Sequence, residues 1–116
     1  RKAHIVFTPC GPLYSVRCEA IFNQHARVYR STLVGIGERG HQEPAVVVEP
    51  EKGELPNSSA TRESFEQELL SLAEKNQLTA GIRTVLFRYA LPVDTRHNVK
   101  INREALAIWA ARQIRR

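Results

Sequence analysis

The sequence is poor in the features that mark secreted, membrane-spanning or metal-binding proteins. It contains no methionine, two cysteines and four scattered histidines. Without a secretory context, Cys10 and Cys18 are predicted to be free thiols, and no histidine stands at a ligand spacing from a cysteine or another histidine, so no metal site is predicted. Apolar runs such as Ala45–Val48 are far too short for a transmembrane segment, and the start does not resemble a signal peptide. We therefore expect a cytoplasmic protein.

The sequence also lacks a complete catalytic site. It has no glycine-rich phosphate loop, no nucleophile paired with a base and no pair of carboxylates at a catalytic spacing. The missing methionine and the start at Arg1-Lys2 indicate a piece of a longer chain. Any chemistry is therefore expected to be shared with another domain.

Composition and charge are those of an ordinary globular domain. Hydrophobic residues make up 42% and charged residues 25% of the 116 residues, which is enough for one domain with its own core. The net charge of +5 leaves open a basic module that binds nucleic acid or another protein. Because the basic residues are poorly clustered and no nucleic-acid motif accompanies them, nucleic acid is not the predicted partner.

Hydrophobic periodicity predicts a small α+β domain. Strands are predicted where β-branched and aromatic residues accumulate, and helices where apolar residues recur every three or four positions. The predicted order is strand 3–8, helix 15–24, strand 28–36, strand 45–49, helix 61–76, strand 84–89 and a helix after residue 102. This order gives a mainly antiparallel three-stranded sheet plus a short N-terminal strand or hairpin, covered by about three helices. Ser15, Thr61 and Asn102 are predicted to be N-caps, and Trp109 a core anchor.

One lysine stands at the turn before the last helix. Pro92 favours an extended or turn conformation, and His97-Asn98 is turn-prone, so Lys100 is predicted to lie on a loop. Loops carry function more often than cores do, and a lysine there could reach into a partner's active site. A lone exposed lysine is also commonly only solvated, and the spacing alone leaves both readings open.

A collinear series of short motifs runs from Arg1 to about Arg112. The motifs are Cys18–Val28, Leu33–Ile36, Gly40 with Pro44–Val47, Leu91–Val93 and Lys100–Arg103. In this order and spacing they resemble the C-terminal domain of the adenylate-forming enzymes, the superfamily of acyl-CoA synthetases, peptide-synthetase adenylation domains and luciferases.

Four segments narrow the resemblance to one branch of that superfamily. They are Arg1–His4, Gly11–Tyr14, Cys18–Asn23 and Arg96–Asn98. Their amino-acid sequences are most similar to those of the olefin-biosynthesis β-lactone synthetases, which activate a long-chain β-hydroxy acid with ATP and close it to a β-lactone. A fatty acyl-CoA or acyl-AMP ligase is the alternative within the superfamily.

The resemblance implies a mobile lid domain over residues 1–116. The lid would be hinged to a large N-terminal domain, absent from this chain, that holds ATP, Mg²⁺ and the fatty or β-hydroxy acid. Lys100 falls on the family's adenylation lysine. Other enzymes of the olefin pathway are further candidate partners.

Further site residues are implied by the same resemblance. The hinge falls on Arg1, Lys2 and Ala3. Cofactor-binding roles fall on Arg103, for which loop support is the alternative, and on Gly11, which in the alternative belongs to an ordinary surface turn.

Two positions depart from the family pattern. Val99 stands immediately before the lysine, where the family usually has glycine, and β-branching restricts the backbone there. Ala3 stands at the hinge position where the family often carries aspartate or lysine. A hinge without a polar residue is a poor fit to the large rotation used for thioester formation, so a role for coenzyme A is doubtful.

Overall fold

The chain folds as seven strands and three helices in the computed structural model, which describes residues 4–94 and 100–114, and the side chains of 4–92 and 101–114. The elements are β1 (Ile5–Thr8), β2 (Gly11–Tyr14), α1 (Ser15–Phe22), β3 (Val28–Ile36), β4 (Glu43–Pro50), α2 (Ser59–Glu74), β5 (Thr84–Phe87), β6 (Val93–Asp94), β7 (Lys100–Ile101) and α3 (Arg103–Ile114). The predicted α+β class with three helices is confirmed.

The central sheet has the strand order β3-β4-β5 and is mixed. Strands β3 and β4 form the predicted antiparallel hairpin, with a register irregularity between Val28 and Arg30. Strand β5 lies parallel to β4, with Ala45 opposite Thr84. The parallel pairing follows from the connection, because helix α2 carries the chain back to the starting end of the sheet before β5 begins.

The sheet is buried on both faces, which explains the valine run of its central strand. Val46 and Val48 point to the face covered by α1 and α2, where Phe22, Leu33 and Phe65 complete one core cluster. Successive strand residues alternate between faces. The opposite face therefore has its own cluster beneath α3, formed by Val34, Ala45, Val47, Leu91, Leu106 and Ala110.

Trp109 does not anchor that second cluster as predicted. Leu106 and Ala110 are its fully buried α3 members, whereas Trp109 packs against it from a partly buried position. The Arg88 guanidinium lies 5.1 Å from the centre of the indole ring. The tryptophan therefore covers the edge of the core and stacks with a cation at the surface.

The N-terminal segment forms the hairpin that the sequence left as one of two options. Strands β1 and β2 pair antiparallel, and Thr8 lies opposite Gly11. The hairpin docks on the turn between β3 and β4, because the Phe7 carbonyl accepts hydrogen bonds from the backbone N–H groups of Gly40 and Gln42. The turn of this hairpin is short, because β1 ends at Thr8 and β2 already begins at Gly11.

Two of the three predicted helix caps were wrong. Ser58, not Thr61, is the N-cap of α2, and the two side chains form a reciprocal capping box in which each accepts a hydrogen bond from the other's backbone N–H. Ser15 is the first residue of α1, with its N–H bonded to the His4 carbonyl and its hydroxyl buried. Asn102 caps α3 as predicted, since its side-chain oxygen accepts from the Ala105 N–H at 3.0 Å.

The capping box generates a stability prediction. Ser58→Ala removes the oxygen that satisfies the Thr61 N–H, so the free energy of unfolding should fall by about 1 kcal/mol. Urea denaturation of the chain measures the loss. Ser71→Ala, on an exposed position within α2, is the matched control and should change stability by less than about 0.5 kcal/mol. Equal losses in the two variants would contradict the assigned cap.

Candidate functional site

The predicted catalytic lysine belongs to a short hairpin, here called the lysine hairpin, whose described residues are 91–94 and 100–102. Its strands β6 and β7 pair antiparallel, with Val93 opposite Ile101 and Asp94 opposite Lys100. Lys100 was predicted to lie on a loop, and this prediction was wrong, because its backbone lies in the two-residue strand β7. Residues 95–99, including Val99, lie outside the described residues, as does the side chain of Lys100.

The base of the lysine hairpin is closed and packed on the core. The Asn102 N–H donates to the Pro92 carbonyl at 2.8 Å. Leu91 is buried in the cluster beneath α3, and Ile101 packs against the same cluster. The two chain segments that lead to and from the lysine are thus fixed to the face of the sheet that α3 covers.

A buried ion pair holds the outgoing end of the lysine hairpin. Nη1 of Arg103, the first residue of α3, lies 2.9 Å from Oε2 of Glu19 on α1 and 3.2 Å from the Leu33 carbonyl oxygen on β3. The same Oε2 accepts the Leu33 N–H at 2.8 Å. Only 13% of the Glu19 side chain and 25% of the Arg103 side chain are exposed. The pair therefore joins α1, β3 and α3 at one point.

Leu33 is the residue that brings these two charges together. Its N–H and its C=O both point away from β4, to the free edge of the sheet. Glu19 accepts from the first group and Arg103 donates to the second, so neither buried backbone group is left without a partner. Hydrogen bonds to charged groups are shorter and stronger than bonds between neutral groups.

Sequence reasoning missed the role of Glu19, although two signals were available. The inward face of α1 carries the buried residues Ser15, Cys18 and Phe22. Glu19 lies four positions after Ser15 and three before Phe22, so its carboxylate is at the edge of that face. Arg103 begins a helix, where a cation is disfavoured by the helix dipole. A charge on an inward face and a cation at a helix start each require a partner.

A second carboxylate holds the incoming end of the lysine hairpin. Oε1 of Glu49, on β4, accepts the Leu91 N–H at 3.1 Å and lies 2.7 Å from Nε of Arg30. The Glu49 side chain is 13% exposed, as that of Glu19 is. Each end of the lysine hairpin is therefore attached by a largely buried carboxylate to the central part of the domain.

His4 lies beside the Glu19–Arg103 pair. Burial and, second, the Arg103 charge lower the pKa of His4, while Glu19 acts in the opposite direction. The imidazole is therefore neutral near pH 7, and its Nε2 is buried without a partner in the described part of the chain. The predicted hinge residues Arg1, Lys2 and Ala3, which precede it, lie outside the described residues.

Cys18, next to Glu19 on α1, is a structural thiol. Burial and the nearby Glu19 charge raise the pKa of Cys18. A thiol with a raised pKa holds its proton near pH 7 and is a poor nucleophile. Both cysteines are free, as predicted.

Gly11 is the first residue of β2, directly after the turn of the β1–β2 hairpin. Its φ of +126° is a conformation that residues with a side chain rarely adopt, and its carbonyl accepts the Thr8 hydroxyl at 2.8 Å. No hydrogen bond joins Gly11 to Arg103 within the described residues. The cofactor-binding roles of Gly11 and Arg103 remain predictions.

An open groove of about 410 Å³ lies beside the incoming end of the lysine hairpin. Tyr29, Lys52, Leu55 and Tyr89 are among its lining residues, and Glu49 contributes to its wall. Tyr89 is 83% exposed, so the groove opens broadly to solvent.

The described residues hold no group of three histidine, cysteine, aspartate or glutamate side chains that could bind a metal ion. No helix in residues 4–94 and 100–114 is long and apolar enough to cross a membrane.

Comparison with curated proteins finds two relatives with a common description. The chain is 45% identical over 113 residues to an olefin beta-lactone synthetase of Xanthomonas campestris pv. campestris, and 41% identical over 114 residues to one of Stenotrophomonas maltophilia. These alignments cover 97% and 98% of the chain but 20% of each relative, so the chain spans about a fifth of their length. No family model matches the chain.

Solved structures with the same fold come from several synthetases. An acyl-CoA synthetase of Brucella canis superposes with a TM-score of 0.74 at 18% identity, covering 97% of this chain and 20% of its own. An amide bond synthetase from Marinactinospora thermotolerans gives 0.71 at 20% identity, covering 94% and 20%. At 18–20% sequence identity, these superpositions show that the chain has the same fold as the matched parts of the two synthetases.

The sequence relationship and the shared fold confirm the resemblance that was drawn from the sequence motifs. The chain is therefore a homologue of about a fifth of the olefin beta-lactone synthetase chain, as expected for the C-terminal domain of an adenylate-forming enzyme, and it shares its fold with parts of other synthetases.

Proposed function

We propose that this domain is the lid of an ATP-dependent enzyme that activates a carboxylic acid, and that Lys100 supplies the cation for acyl-adenylate formation. The observation that carries the proposal is the anchored lysine hairpin: the backbone of Lys100 lies in β7, and the two ends of the hairpin are attached through Arg103 and Leu91 to Glu19 and Glu49. A solvated surface lysine needs no such support. The relatives of this domain are synthetases.

The chemistry explains why one cation matters. A carboxylate oxygen of the acid attacks the α-phosphorus of ATP, a new O–P bond forms, and pyrophosphate departs with the electrons of the broken bond. The attack brings negative groups together, and an ammonium between them offsets the repulsion and stabilises the transition state. ATP, Mg²⁺ and the acid would be held mainly by the large N-terminal domain.

The finer proposal is that the acid is a long-chain β-hydroxy acid and that the product is a β-lactone. After adenylation the substrate's own hydroxyl oxygen attacks the acyl carbon, its proton is released, and AMP leaves. This step needs positioning of one bound intermediate and no second substrate. Support comes from the two relatives, both described as olefin beta-lactone synthetases, and from Ala3 at the predicted hinge.

The basic composition does not favour the alternative of a nucleic-acid module. Arg27 pairs with Glu54 and Glu68, and Arg30 with Glu49, so these cations are partly neutralised within the domain. Nucleic-acid binding depends on cations that are available to phosphates.

Replacement of the lysine tests the adenylation role. In the full-length enzyme, Lys100→Ala should slow AMP formation by about 100-fold or more, because one preorganised group that stabilises charge in a transition state is worth on the order of 100- to 1,000-fold. Pyrophosphate release with the acid and ATP measures this rate. Lys75→Ala, an exposed lysine that ends α2, is the control and should retain the full rate. An unchanged rate in Lys100→Ala would refute the assignment of this lysine.

The need for coenzyme A separates the two products. The full-length enzyme, given ATP, Mg²⁺ and a long-chain β-hydroxy acid, should form lactone and AMP in a 1:1 ratio without coenzyme A, because the nucleophile is in the substrate. Mass spectrometry of the product and an AMP assay give the ratio. A strict requirement for coenzyme A, with a thioester as product, would instead establish the acyl-CoA ligase alternative.

A further inference from the structure

Glu19 and Glu49 hold opposite ends of the lysine hairpin, and this arrangement carries an inference beyond the lysine itself. We infer that both carboxylates are positioning residues for Lys100, an inference that rests on the proposed function of that lysine. The role requires no contact with the substrate or the reacting atoms. Both carboxylates act by fixing where the hairpin projects from the domain.

The lysine hairpin cannot fix its own direction. Strands β6 and β7 have two residues each, and an isolated two-stranded hairpin is at best marginally stable in water. The bond from the Asn102 N–H to the Pro92 carbonyl closes the base but does not tie it to another element. Its orientation relative to the sheet must therefore come from contacts made by its ends.

Glu19 supplies the attachment at the outgoing end. Arg103 follows Lys100 by three positions, which is about 10 Å of extended chain at roughly 3.3 Å per residue. Its guanidinium is held by Glu19 and by the carbonyl of Leu33, a residue with no exposed surface. A shift of the guanidinium would break bonds to two elements at once.

Glu49 supplies the attachment at the incoming end. Its oxygen accepts the Leu91 N–H, a backbone bond that fixes the position of the chain rather than of a flexible side chain. Arg30 holds the carboxylate in place at 2.7 Å. Together with the packing of Leu91 and Ile101 on the core, the two attached ends set the direction of the hairpin.

The chemistry makes this direction matter. A misplacement of a catalytic group by about 1 Å, even when a mutation far from the reacting atoms causes it, can cost on the order of 100-fold in rate. Glu19→Gln keeps the size of the side chain and removes its charge. The amide oxygen can still accept from Arg103 and from the Leu33 N–H, but the Arg103 guanidinium loses its counter-charge in a largely buried position. The amide NH₂ would also replace Oε1, which faces Nη2 of Arg103 at 3.5 Å, and two donors repel each other.

A double-mutant cycle in the full-length enzyme tests the inference. Glu19→Gln should lower kcat for pyrophosphate release about tenfold or more and leave KM for the acid unchanged, because the acid is bound by the other domain. Glu49→Gln should act in the same direction. Added to Lys100→Ala, neither substitution should slow the residual rate further, because groups that act through one residue are not additive.

Glu68→Gln is the matched control. Glu68 also accepts from an arginine, at 3.0 Å from Arg27, and from His25, but it lies on α2 away from the lysine hairpin. It should keep the full kcat. Urea denaturation of each variant shows whether a loss of rate follows from unfolding, and Glu49→Gln keeps the test decisive if Glu19→Gln fails to fold.

The outcomes separate the inference from the proposed function. Suppose that Lys100→Ala slows the reaction and that each glutamine substitution slows the Lys100→Ala enzyme by the same factor as the wild-type enzyme. The positioning role is then overturned, and the proposed role of Lys100 in adenylation is retained. If the glutamine variants keep the full kcat, the positioning role is likewise overturned. If Lys100→Ala itself is fully active, the proposed function fails and the positioning role fails with it.

Discussion

The contact between Glu19, Arg103 and the backbone of Leu33 is the interaction on which the arrangement of the domain depends. Helices α1 and α3 cover opposite faces of the sheet, and their buried apolar side chains belong to separate clusters. The ion pair links them around the free edge of β3. Removing two charges from water is costly, and the two bonds to Leu33 are what allow a largely buried pair to be satisfied.

The same contact protects an edge of the sheet. Strand β3 has β4 on one side only, and an edge strand with free N–H and C=O groups can pair with another chain. At Leu33, in the middle of β3, both groups are occupied by charged side chains. The interaction that orients α3 therefore also blocks strand addition at this position.

The fold could be predicted from the sequence wherever one local signal determined the outcome. The β-branched residues of 28–36 and the valine run after Ala45 predicted β3 and β4 almost to the residue, because a buried strand needs little beyond such residues. The parallel pairing of β5 was less accessible, since it depends on how α2 returns across the sheet. The α2 cap was placed at Thr61 rather than Ser58 because serine and threonine are both good caps, and the reciprocal bonds that decide between them are three-dimensional.

The candidate site divides in the same way. Lys100 was accessible as one residue within a collinear set of motifs, but its carboxylate supports were not. Glu19 and Arg103 are 84 positions apart, and Glu49 and Leu91 are 42 apart. Pairings over such distances are set by the packing of α1, β4 and α3.

The parallel β4–β5 pairing has a consequence for the order of folding. Ala45 and Thr84 meet only after the whole α2 crossover has closed, and non-local pairings of this kind form slowly. Leu86 of β5 contributes to the surface on which α3 and Leu91 pack. The segment with Lys100 thus docks onto a surface that is itself assembled late, so a domain trapped before β5 pairs would keep the lysine hairpin undocked.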